Sequence, residues 1–176
     1  VYFNTPLRYN VLVRTVRAKD EGTTKMGYTH YWNVVKPLGT ESFKNFVDDV
    51  KQVKPLTGIR CTVVANPYEV VVNGSCESLV IQADDSGFDF CKTNQGEYDV
   101  VVTTTLLLAK KHFGDSITVS SDGGEFGFAQ GKTVYQKITG EAFIGNITAP
   151  EGVLSDEDLK ALAFRTIITD AAKVVG

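Results

Sequence analysis

Cysteine, histidine and methionine are scarce in this 176-residue chain, at three, two and one residues. Cys61, Cys76 and Cys91 are an odd, widely spaced set, which excludes a dense disulfide framework and suits a reducing compartment. A cytoplasmic location is therefore expected. With His30 and His112 they are the only soft metal ligands, and none has the short spacing of a structural zinc site. No metal and no cofactor are expected. Long hydrophobic runs are missing too: none reaches the ~18 residues that span a bilayer. The longest, residues 100–109, is interrupted by Thr103, Thr104 and Thr105. A membrane partner is not expected.

Positive charge is also in deficit, with a formal net charge of −3. Residues 1–25 hold five bases, Arg8, Arg14, Arg17, Lys19 and Lys25, against Asp20 and Glu21, for a local +3. That leaves 13 of the 18 basic residues against 19 of the 21 acidic ones, or −6, in the remainder. Such a body lacks the electrostatic footprint of a nucleic-acid binder, so the expected partner is a protein or a small molecule. A hydrophobic content of 43% and a charged content of 22% are those of an ordinary globular domain.

What is present begins at the lone methionine. Met26 opens the aromatic-polar run Gly27-Tyr28-Thr29-His30-Tyr31-Trp32, so residues 1–25 read as a disordered leader. Residues 26–140 read as the folded domain, and 141–176 as a linker and a C-terminal helix packed on it. Four segments recur in this order: the run from Met26 to Trp32, Phe88-Asp89-Phe90-Cys91-Lys92-Thr93, Tyr98-Asp99, and Val119-Ser120-Ser121-Asp122-Gly123. On them the chain resembles a group of small uncharacterised proteins of bacteria and their phages. The resemblance spans about Met26 to Gly140 and implies no assigned activity. It departs from the group after Asp122-Gly123, where Phe126 or Phe128 stands in place of a tryptophan.

Period-2 alternation predicts a strand over 28–35, with Tyr28, His30 and Trp32 in the core and Tyr31 partly exposed. Thr40 is expected to cap a helix striped by Phe43, Phe46, Val47, Val50 and Val53, which Pro55 stops. Residues 61–64, 68–72, 78–82 and 88–93 read as four strands of one antiparallel meander. Residues 97–113 carry strand-favouring Val100 to Thr105, yet Glu97 and Asp99 lead and Lys110, Lys111 and His112 trail. That polarity predicts a central helix, closed by a left-handed Gly114. A strand over 117–120 follows. The spacing of Asp122 and Glu125 then predicts a capping box for a helix ending at Gly140, and Ser155 to Asp158 a second one. The order β-α-β-β-β-β-α-β-α is that of a single α+β domain, its helices on one face of a largely antiparallel sheet.

Candidate sites are few. The stretch from Phe126 to Thr133 approaches a phosphate loop, but Phe126 stands where the first glycine must be, so nucleotide binding is not expected. The leading reading is a non-enzymatic accessory or interaction protein. It is expected to bind through Tyr31, Asp89, Lys92 and Asp122, lining one polar region between adjacent strands 88–93 and 117–120. Asp122 serves equally as a ligand contact or a helix cap. The alternative is a small enzyme with Cys91 as nucleophile, His30 as base, and Asp89 or Asp122 as the orienting acid.

Overall fold

The computed structural model describes residues 28–147. Alternation decides its first element. Strand β1 (Thr29–Val34) turns His30, Trp32 and Val34 into the core and Tyr31 and Asn33 outward. It is the middle strand of an antiparallel sheet, between β5 (Gly87–Lys92) and β6 (Ile117–Ser121). A second antiparallel sheet is the meander β2 (Thr62–Ala65), β3 (Glu69–Asn73) and β4 (Leu79–Gln82).

The expected four-strand meander thus loses its last member. Gly87, at a φ of 85°, carries the chain away from β4, and β5 pairs with β1 instead. Strands β5 and β6 are not neighbours either, because β1 lies between them and pairs with both.

Helix α1 (Thr40–Val50) buries the expected stripe of Phe43, Phe46, Val47 and Val50. Its N-cap is Gly39, whose carbonyl accepts the Phe43 N–H at 2.8 Å, so Thr40 is already inside the helix and caps nothing. Pro55 does not end a helix. It sits within the first turn of the short α2 (Val53–Thr57), where a missing N–H costs no hydrogen bond.

Helix α3 (Asp99–Phe113) is buried at every residue from Val101 to Ala109. Three consecutive threonines sit in this apolar surround because their hydroxyls bond within the helix. Thr103 donates to the Asp99 carbonyl at 2.9 Å, Thr104 to Val100 at 2.6 Å and Thr105 to Val101 at 2.8 Å. Each polar group is satisfied without leaving the helix, so the β-branched run does not force a strand. Gly114 has a positive φ of 51° but a ψ of −120°, outside the left-handed helical region expected of it. The chain passes through a 3₁₀ turn, Gly114–Ser116, directly into β6.

Asp122 opens no capping box. A second 3₁₀ turn, Gly124–Phe128, intervenes, and helix α4 starts at Ala129 and runs to Thr139. Gly131 lets α4 approach α3 closely: a Cβ there would lie 2.6 Å from Thr103 Oγ1 and 2.9 Å from the Thr104 backbone nitrogen. Trp32, Val34, Ile117 and Val119 of the first sheet join Val70, Val72, Leu79 and Ile81 of the second and the buried faces of the helices in one core. The domain is α+β, as expected, with two small antiparallel sheets in place of one. The expected leader, residues 1–25, and the expected C-terminal helix lie outside the described residues. No helix among the described residues is long and apolar enough to cross a membrane.

Candidate functional site

The two sides of the β5-β1-β6 sheet carry different chemistry. On the inner side His30 lies directly opposite Cys91 on β5 and Ser121 on β6. The His30 ring is fully buried, edge-on to Tyr28 and to Phe128 with centroids 5.3 Å away in each case. Its Nε2 meets Asp99 Oδ1 at 2.8 Å, and the Thr93 hydroxyl donates to the same oxygen. A carboxylate only accepts, so the shared hydrogen sits on Nε2. Among the described residues the His30 Nδ1 has no hydrogen-bond partner. Tyr28, His30, Cys91, Thr93, Asp99 and Ser121 thus meet here from four separate stretches of the sequence.

Cys91 shares this side but does not bond His30. Its thiol donates to the Glu77 carbonyl at 3.2 Å, and the same carbonyl accepts the Tyr98 hydroxyl at 2.8 Å. Burial pushes the Cys91 thiol up to about 12. A nucleophilic cysteine needs the opposite shift, since the thiolate is the reactive form. His30, for its part, spends Nε2 on Asp99. Asp89 holds neither ring nitrogen of His30; it lies opposite Trp32, and its Oδ1 accepts the Phe90 N–H at 2.8 Å.

The outer side gathers the other candidates. Asp122 clamps the beginning of β1: Oδ2 accepts the Thr29 N–H at 2.9 Å and Oδ1 accepts the Tyr31 hydroxyl at 2.8 Å. The Asp122 N–H returns a bond to the Thr29 carbonyl at 3.0 Å. Asp122 therefore caps no helix; its carboxylate fixes the Tyr31 ring. Burial, followed by the bond to Asp122, raises the Tyr31 phenol above its ordinary value. Lys92 pairs with Thr29 in the register and shares the outer face, while its own N–H donates to Glu77 Oε2 at 2.9 Å.

Tyr31, Lys92 and Asp122 therefore share one face, and Asp89 belongs to the other. Alternation alone requires this, because Asp89 and Lys92 are three residues apart on one strand. None of the three lines either of two cavities among the described residues. A cavity of about 350 Å³ lies elsewhere, between Val34–Pro37 and Ala83–Ser86, and a second of about 430 Å³ lies beside Arg60–Thr62.

Reading residues singly missed what dominates the outer face. Phe88 is 66% exposed and stacks on Tyr31, with centroids 5.9 Å apart and planes at 24°. Phe90 adds a third ring, 6.4 Å from Tyr31 and 6.5 Å from Phe88. The signal was there in Phe88-Asp89-Phe90, since alternation puts both rings beside Tyr31 if β5 pairs with β1. On the inner side Asp99 and Thr93 were also missed as partners of His30. Asp99 lies 69 residues from His30 in sequence, and its charge had an adequate local explanation at the start of α3.

Comparison of the chain with protein-family models, curated proteins and solved structures returned no match.

Proposed function

We propose that the protein is an accessory or interaction protein of the cytoplasm, acting by binding a macromolecular partner on the outer face of β5-β1-β6. The observation that carries this reading is the Tyr31–Phe88–Phe90 cluster. Phe88 exposes 66% of its surface, and Val35, beyond the end of β1 on the same side, exposes 52%. Adjacent exposed apolar side chains on a flat, polar-rimmed sheet are the usual mark of a protein-binding surface. Aromatic rings suit it because they give large contact area at low cost in conformational entropy. Asn33, Thr118 and Ser120 supply hydrogen-bonding groups among the rings.

The test is recovery of partners from the native host with the wild-type chain and with Phe88→Asp. A partner lost with Phe88→Asp but retained with Lys51→Glu, on the far exposed end of α1, supports the reading. Equal recovery with both variants overturns it.

The competing reading, Cys91 attacking with His30 as base, makes a different prediction. With a buried thiol held near 12, iodoacetamide should modify exposed Cys76 in the folded protein at neutral pH and leave Cys91 untouched until unfolding. Peptide mass spectrometry after timed alkylation checks this. Modification of Cys91 as fast as Cys76 would restore the enzyme reading.

A further inference from the structure

We propose that the partner on this face is a second copy of the chain, seated by a two-fold axis that runs close to β1. The inference rests on the binding-face reading above and adds the occupant. The outer face is uneven across β1 in two independent ways. Its β5 side carries the bulky Phe88 and Phe90, and its β6 side the small Thr118 and Ser120 at the same heights. The register fixes this: Asn33 faces Phe88 on one side and Thr118 on the other, and Tyr31 likewise faces Phe90 and Ser120. Charge is divided in the same way. Lys92 flanks Thr29 on the β5 side, and Asp122 bonds Thr29 from the β6 side.

A two-fold axis along β1, in the plane between two stacked sheets, exchanges left for right while keeping height along the strand. Phe88 of one copy then meets Thr118 of the other, and Lys92 meets Asp122. Each contact occurs twice, as a closed two-fold interface requires. Large side chains fill the space above small ones, which suits two sheets packed about 10 Å apart. Among the described residues Lys92 has no ion-pair partner within its own chain, so Asp122 of the second copy would be its first. Turned end for end instead, about an axis across the strands, the copies set Phe88 and Phe90 against each other and Lys92 against the opposite end of the sheet. The axis along β1 sets Tyr31 against its own copy on the axis, and to either side of it places the large side chain over the small one and Lys92 against Asp122.

The experiment uses the full chain in sedimentation velocity, with Phe88→Thr, Thr118→Phe and the double exchange Phe88→Thr/Thr118→Phe. Positions 88 and 118 are both solvent-exposed, so each variant should keep the wild-type circular dichroism. The wild type should sediment as a dimer. Each single variant should weaken dimerisation at least about thirtyfold, as loss of an interface anchor does, and the exchange should recover most of it. A dimer indifferent to all three variants places the interface elsewhere and overturns the proposal. A monomer overturns it too, and alkylation of Phe88→Cys then separates the two readings. Labelling at the rate of a free thiol leaves the face open for another protein. Protection shows that the chain's own remaining segments cover it, which would remove the binding-face reading as well.

Discussion

Leu107→Ala is expected to cost about 2–5 kcal/mol of folding stability, measured as a shift in the chemical-denaturation midpoint at unchanged slope. Leu107 is 1% exposed and sits midway along α3, whose residues Val101 to Ala109 are all buried. Helices α1 and α4 pack against α3, and so does β6. A hole left at its centre is surrounded by rigid neighbours and cannot collapse readily, which sets the upper end of the range. On the α4 side, Gly131 already brings the two helix backbones so close that a methyl group would not fit. A loss below about 1 kcal/mol would mean that α3 is not the centre of the core.

That α3 is a helix was legible, although its side chains argue against it. Val100 to Thr105 favour a strand by branching alone, yet the carboxylate at Asp99 and the cations at Lys110 to His112 are placed as a helix dipole wants them. The ends outweighed the middle because a threonine hydroxyl can bond the carbonyl four residues back, so burial in a helix leaves no polar group unpaired. The partner of β5 was not legible. Residues 79–82 and 87–92 have the composition of a hairpin, and local spacing does not say that the second strand will leave the first. That choice is made by the core: Cys91 and Gly87 fit beside His30 and Val34 of β1, a pairing set by tertiary packing.

The site was legible to the same degree. Tyr31 and Asp122 belong together, but through a clamp rather than a pocket. Aspartate before Gly123-Gly124 looks like a helix cap because capping needs only local sequence. Its actual acceptor role requires the Thr29 N–H and the Tyr31 hydroxyl, more than ninety residues away. Asp89 was separable from Lys92 by alternation, and the expectation that both line one region conflicted with the strand assigned to them. His30 was recognised as a core residue, while its fixed orientation comes from Asp99 and Thr93 and is invisible without the fold.

Asp99 holds that network together, as the only carboxylate shared by His30 and Thr93 among the described residues. In Asp99→Ala the Nε2–H of a fully buried His30 and the hydroxyl of Thr93, 1% exposed, both lose their acceptor. Each buried donor left unpaired costs about 1–3 kcal/mol, so the substitution should destabilise the domain by about 2–6 kcal/mol. Asp99→Asn should cost much less, because the amide oxygen still accepts from one of the two donors. His30→Phe should be milder as well: it removes the unpaired Nδ1 along with the donor, and Asp99, 20% exposed, can turn to solvent. The order Asp99→Ala above His30→Phe, read from denaturation midpoints, is what a structural histidine gives. His30→Phe also separates structure from function. If the outer face does the binding, that variant keeps its partner, because His30 and Tyr31 point to opposite sides of β1. Loss of the partner in a folded His30→Phe protein would move the working site to the inner side, where the free Nδ1 would be its reactive atom.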